Sequence, residues 1–150
     1  MARSLRRTVL TLLALTLLPA AGCRRAPPAG QARHAPAPSS IENRDWELVA
    51  LGERSDPRGA GGRSITLRLD SASGRAAGFA GCNRYSSAYT RSADTLSFQM
   101  TLATKMACPD GMEVEQAFLE TLPAVRTFQA TDSTLTLDGP NGPLARFRVP

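Results

Sequence analysis

From residue 41 onward the chain consists of short runs in which apolar and polar residues alternate, separated by turns rich in Gly, Asp and Ser. A period of two places every second side chain on one face of a strand. In residues 64–69, the apolar face carries Ile65, Leu67 and Leu69. Strands are predicted at residues 46–51, 64–69, 75–80, 86–90, 95–98, 125–130, 134–138 and 144–149. The pattern therefore predicts a mostly antiparallel sheet.

One helix is predicted between residues 110 and 122. Asp110 is a favourable N-cap, and Glu113 three residues later completes a capping box. The buried stripe at helical spacing is Val114, Ala117, Phe118 and Leu122. Pro123 ends the helix. One helix beside many short strands predicts an α+β fold, a mostly antiparallel β-sheet or open barrel packed with one amphipathic α-helix.

The formal net charge of +5 is unevenly distributed along the chain. Six arginines and no acid lie in residues 1–40, so residues 41–150 carry a net charge of −1. A nearly neutral domain without a basic stripe argues against nucleic-acid binding. The excess positive charge belongs to the N-terminal segment instead.

Residues 1–22 have the organisation of an export signal, with a basic start, a short apolar run and small residues before Cys23. The apolar run is shorter than the roughly 20 residues that span a bilayer. Residues 18–23 (LPAAGC) resemble a bacterial lipobox, which implies cleavage before Cys23 and acylation of that cysteine, as with palmitate. By the same resemblance, Arg24 in place of an Asp favours the outer membrane, facing the periplasm. The alternative is an ordinary secretory signal that ends near a cysteine.

Residues 23–40 are predicted to form a disordered tether behind the lipidated cysteine. They are rich in Pro, Ala and Arg and contain no aliphatic side chain larger than Ala, so they offer nothing to a core. The single histidine of the chain, His34, lies in this tether. Residues 41–150 are predicted to form the folded domain.

The two remaining cysteines, Cys82 and Cys108, are predicted to form a disulfide, because an exported protein folds in an oxidising compartment. A redox-active pair is the alternative. It is disfavoured because the Cys-x-x-Cys spacing of such pairs is absent.

The segments around these cysteines resemble the META/HslJ domain family. The resemblance rests on residues 81–85 (GCNRY), residues 102–109 (LATKMACP) and the acidic helix that follows, and it extends over residues 42–149. It implies an exported or lipid-anchored bacterial protein. HslJ is a heat-shock-induced envelope protein linked to novobiocin resistance, so the resemblance also implies a role in envelope stress or antibiotic tolerance. No enzymatic activity is established for the family.

The residues favour a non-enzymatic function without cofactors. With no histidine in residues 41–150, neither a Ser-His-Asp nor a Cys-His system can be assembled, and a zinc site is improbable. The polar residues near the cysteines are Asn83, Arg84, Tyr85, Thr104 and Lys105. Two interpretations stay open: they satisfy turn and sheet packing, or they form a binding surface for an envelope protein or a small anionic ligand. The expected partners are the membrane, through the lipid, and such a protein or ligand.

Overall fold

The computed structural model describes residues 40–150. The predicted signal peptide, the lipidation site Cys23 and residues 24–39 of the tether lie outside this range. Within residues 40–150, no helix has the length and apolar character needed to cross a membrane.

The alternating runs form nine strands of one antiparallel sheet. The strands are β1 (Asp45–Leu51), β2 (Arg54–Ser55), β3 (Thr66–Asp70), β4 (Arg75–Phe79), β5 (Arg84–Ser92), β6 (Thr95–Ala103), β7 (Thr127–Ala130), β8 (Thr134–Gly139) and β9 (Gly142–Arg148). Their order is β2-β1-β3-β4-β5-β6-β7-β8-β9, and β1 also pairs with β9, so the sheet closes into a ring. The predicted fold class is confirmed.

The helix α1 (Met112–Thr121) follows β6 and continues into a 3-10 turn at Leu122–Ala124. Its Phe118 side chain is fully buried and meets the rings of Tyr85 and Phe147 edge-on, with centroids 5.4 and 6.3 Å apart. Because Tyr85 lies on β5 and Phe147 on β9, the helix supplies an aromatic group that packs between distant strands. The buried cluster, the ring closure and α1 are all formed between residues 41 and 149, so this segment carries a complete core.

The predicted capping box at the start of α1 is wrong. Gly111 is the N-cap, in a left-handed conformation (φ 83°), and no side chain caps the helix. The Asp110 carboxylate instead accepts a hydrogen bond from the backbone N–H of Gly61 at 3.3 Å, and Glu113 forms an ion pair with Arg54. The left-handed turn separates position 110 from the helix, which leaves Asp110 to bond a neighbouring loop.

Strand β6 extends beyond the predicted residues 95–98 to Ala103, and a bulge after Phe98 interrupts the alternation on which the prediction rested. Phe98 pairs with Tyr89, yet Thr101 pairs with Ser87, so three steps along β6 match two steps along β5. The extra residue reverses the faces of the strand. Phe98 therefore points into the core, while Met100 is 80% exposed although it has the same parity.

Candidate functional site

The Cys82–Cys108 disulfide joins two neighbouring loops. Cys82 lies between β4 and β5, and Cys108 lies between β6 and α1. The Sγ atoms are 1.99 Å apart and the Cα atoms 5.9 Å apart, within the normal range for a disulfide. The structure thus contains the predicted pair, and it brings together the two motifs on which the family resemblance rests.

Glu115 of α1 is buried against the β4–β5 loop, with 8% of its surface exposed. Its Oε2 atom accepts hydrogen bonds from the backbone N–H groups of Cys82, at 2.8 Å, and of Asn83. Its Oε1 atom accepts a bond from Asn83 Nδ2 at 2.8 Å. One carboxylate thus holds three donors of the loop and fixes the backbone that carries the disulfide.

The sequence prediction missed this role of Glu115, although a signal was present. Position 115 lies three residues before Phe118 and seven before Leu122, which places it on the apolar stripe. A carboxylate on the buried face of a helix is stable only where donors meet it.

Asn83 connects Glu115 to the second loop. Its Oδ1 atom accepts bonds from Thr104 Oγ1 and from the backbone N–H of Met106, both at 2.8 Å. Its Nδ2 group also donates to the Met106 carbonyl at 3.2 Å. The side-chain amide of Asn83 therefore makes all its hydrogen bonds within the protein. The hydroxyl hydrogen of Thr104 is likewise used in its bond to Asn83.

Three glycines bring a third loop, which precedes β3, into contact with these two. The backbone N–H of Ala60 donates to the Gly81 carbonyl at 2.6 Å. A Cβ atom on Gly59 would lie 2.3 Å from that carbonyl oxygen, and one on Gly111 would lie 2.5 Å from it. Gly81 itself has a φ of +148°, which L side chains rarely adopt. The three loops therefore pack backbone against backbone, at a distance that only glycine allows.

Tyr85 points into the core from β5. Its hydroxyl donates a hydrogen bond to the Thr66 carbonyl at 3.1 Å, and its ring packs against Phe118. Burial raises the pKa of the Tyr85 hydroxyl above its ordinary range, so the group stays neutral at physiological pH.

The predicted binding surface is therefore wrong for two of its five members. Asn83 and Tyr85 are only 2% and 3% exposed, because the first is used in loop hydrogen bonds and the second in core packing. Arg84, Thr104 and Lys105 are exposed. For Asn83, Tyr85 and Thr104, the contacts match the alternative in which the motif supports turns and sheet.

A cavity of about 310 Å³ opens beside the disulfide. It is lined by Arg63, Phe79, Cys82, Arg84, Thr104 and Met106. Two members of the predicted surface, Arg84 and Thr104, belong to this lining, whereas Lys105 does not. The sequence prediction missed Arg63, Phe79 and Met106. Arg63 lies 21 positions before Arg84 along the chain, and the contact between the glycine loops brings the two to one cavity.

A second, larger cavity of about 440 Å³ lies between β6 and α1. Its lining is Phe98, Gln99, Met100, Thr101, Leu119, Glu120 and Pro123. This lining contains no cation, and its one charged side chain is an acid. The cavity beside the disulfide is the better candidate for a specific site, because it combines apolar groups with convergent polar ones.

Within residues 40–150, no group of three or more His, Cys, Asp or Glu side chains is arranged to hold a metal ion. The expectations of a non-enzymatic protein without metal or cofactor stay predictions.

The family of the chain follows from comparison with known proteins. A sequence model of the META domain matches residues 39–150. The chain belongs to the META domain family. This confirms the family resemblance drawn from the motifs around Cys82 and Cys108.

Two solved structures resemble this META domain protein. The NMR structure of a protein from Burkholderia xenovorans is 28% identical to it, and the match covers 81% of this chain and 94% of that one with a TM-score of 0.55. A second NMR structure, 17% identical, matches 75% of this chain and 94% of its own with a TM-score of 0.58, which shows the fold alone. A comparison with curated proteins gave no match.

Proposed function

We propose that this META domain protein is a lipid-anchored, non-enzymatic binding protein of the bacterial cell envelope. The observation that carries the proposal is the Cys82–Cys108 disulfide, because structural disulfides belong to exported proteins. The lipobox-like residues 18–23 supply the anchor, and the tether up to residue 40 holds the domain away from the bilayer. In this arrangement the protein is attached to the outer membrane and faces the periplasm.

The binding role rests on the cavity beside the disulfide. The loops that form it are fixed by Glu115, by Asn83 and by the disulfide itself, so the cavity is formed without a ligand. Such preorganisation lowers the entropic cost of binding. The alternative from the sequence is an inhibitor-like or small-ligand-binding periplasmic module that uses the surface of Arg84, Tyr85 and Lys105. Tyr85 is buried in the core, whereas Arg84 and Lys105 are exposed.

The lipid anchor is tested by labelling cells with radioactive palmitate. We expect the wild-type protein to carry the label and a Cys23→Ala variant to lose it completely, since the thiol of residue 23 is the acceptor. A Cys82→Ala/Cys108→Ala variant is the matched control and should label like the wild type. Equal labelling of the Cys23→Ala variant would contradict the anchor.

The physiological role that the resemblance to HslJ implies is tolerance of envelope stress. We expect a deletion strain to grow less well than its parent in novobiocin or at heat-shock temperature, and a plasmid copy of the wild type to restore growth. A copy with Cys23→Ala should restore it less well, because the protein is then neither lipidated nor processed for delivery to the outer membrane. Identical growth of parent and deletion strain under both conditions rules out this role.

A further inference from the structure

The cations of the domain are not all used within it. Among residues 40–150, the basic side chains without an ion pair or a side-chain hydrogen bond are Arg63, Arg84, Lys105 and Arg146. Arg63 and Arg84 line the same cavity, and Lys105 lies in sequence between two of its lining residues. Elsewhere, arginines such as Arg54 pair with an acid.

The two acidic side chains near the cavity, Glu115 and Asp110, accept hydrogen bonds from N–H groups and form no ion pair with its arginines. The Glu115 carboxylate is directed at three N–H donors of the β4–β5 loop. The Asp110 carboxylate accepts a bond from Gly61. Neither neutralises Arg63 or Arg84, so positive charge converges on the cavity without an internal counter-ion.

Apart from the two arginines and Thr104, the residues that line the cavity are Phe79, Met106 and the disulfide-bonded Cys82. The Arg63 guanidinium lies over the Phe79 ring, 3.8 Å from its centroid. Stacking uses the flat face of a guanidinium and leaves the N–H groups at its edge available to an anion. The Thr104 hydroxyl, which donates to Asn83, can only accept a hydrogen bond from a ligand.

We propose that this cavity binds a small amphipathic anion. An aromatic or short acyl body packs against Phe79, Met106 and the disulfide, and a carboxylate, phosphate or sulfonate group bonds to Arg63 and Arg84. The volume of about 310 Å³ lies at the lower end of the range of small-molecule sites, about 300–1,000 Å³, and therefore suits a small ligand. The inference deepens the proposed binding function and does not depend on the lipid anchor.

The test uses two dyes that differ in charge. 8-Anilinonaphthalene-1-sulfonate is an aromatic anion, and N-phenyl-1-naphthylamine has the same rings without the sulfonate. The protein is the mature chain without its lipidated cysteine, residues 24–150, exported by a non-lipoprotein signal so that the disulfide forms. Dye titration by fluorescence gives the affinity, and amide chemical shifts give the location. We expect the anion to bind more tightly than the neutral dye and to shift the amides of Arg84 and Met106.

Variants of the two arginines isolate the charged contact. Arg63→Gln and Arg84→Gln should each weaken binding of the anionic dye about tenfold, the loss expected for one charge-assisted hydrogen bond, and leave the neutral dye unaffected. Arg146→Gln, which removes another exposed arginine outside the cavity lining, should change neither affinity. Amide spectra of the variants verify that each remains folded.

Three outcomes would overturn the inference: equal affinity for both dyes, an equal effect of Arg146→Gln, or amide shifts confined to residues 99–101 of the second cavity. If palmitate labels Cys23 and the dye test fails, the envelope assignment stands without this ligand class. If the dye test succeeds and Cys23 is not labelled, the anion-binding cavity is supported and the lipid anchor is contradicted.

Discussion

Replacing Glu115 with alanine is expected to lower the free energy of unfolding by about 3–5 kcal/mol, because three buried donors lose their acceptor at once. The donors are the backbone N–H groups of Cys82 and Asn83 and the Asn83 side chain. Each buried donor left without a partner costs about 1–3 kcal/mol. The gain in helix propensity from alanine is a few tenths of a kcal/mol and does not offset this loss.

A glutamine at position 115 should be less harmful than alanine. Its carbonyl can still accept from the two backbone N–H groups, while its amide nitrogen then faces the Asn83 Nδ2 donor. We expect about half the loss that alanine causes, since two of the three bonds survive without their charge. Urea denaturation of the oxidised protein measures both variants.

The matched control is Glu113→Ala, two residues away on the same helix. Glu113 pairs with Arg54, but its side chain is 83% exposed, and surface ion pairs contribute about 0–1 kcal/mol. If Glu115→Ala and Glu113→Ala cost the same, the loop is not held by the Glu115 carboxylate.

Removing the disulfide should cost about as much as removing Glu115. It closes a loop with a sequence separation of 26, for which the chain-entropy relation gives roughly 3–4 kcal/mol. The Cys82→Ala/Cys108→Ala variant should therefore unfold at a lower urea concentration than the oxidised wild type. A reducing agent should destabilise the wild type by a similar amount and leave the variant unaffected.

The losses of stability caused by Glu115→Ala and by removal of the disulfide should not add fully. Cys82 donates its backbone N–H to Glu115 and also forms the disulfide, so one loop depends on both. If reduction left the urea midpoint of the wild type unchanged, the bridge would have no stabilising role, and the redox-active alternative would gain support.

The sheet was predictable because the alternation of apolar and polar residues that marks a half-buried strand lies within the strand's own sequence. Alternation in β3, β8 and β9 depends only on which face meets the core, and the structure contains strands where the runs predict them. Strand β6 departs from this rule at its bulge, where the register with β5 decides the face of Met100. No property of residues 99–103 taken alone reveals that choice.

The candidate site was predictable only in part. Cys82 and Arg84 stand in one recognisable motif and Cys108 in a second, and each motif is contiguous in sequence. Arg63 reaches the cavity because a loop folds back onto Gly81, and the propensities of the loop residues do not specify that contact. Asn83 and Tyr85 were wrongly included in the predicted surface. A polar group in a motif can support the fold as readily as it can contact a ligand.

Because Gly59, Gly81 and Gly111 converge, the contacts that hold these loops together are separate from the side chains that line the cavity. The loops are held by backbone contacts and by groups that face inward, and none of these contacts involves the outward side chains at positions 63, 84 and 106. Mutation can therefore exchange the chemistry of the rim while the framework stays intact. Substitution of these three side chains is therefore expected to change the proposed ligand preference with little loss of stability.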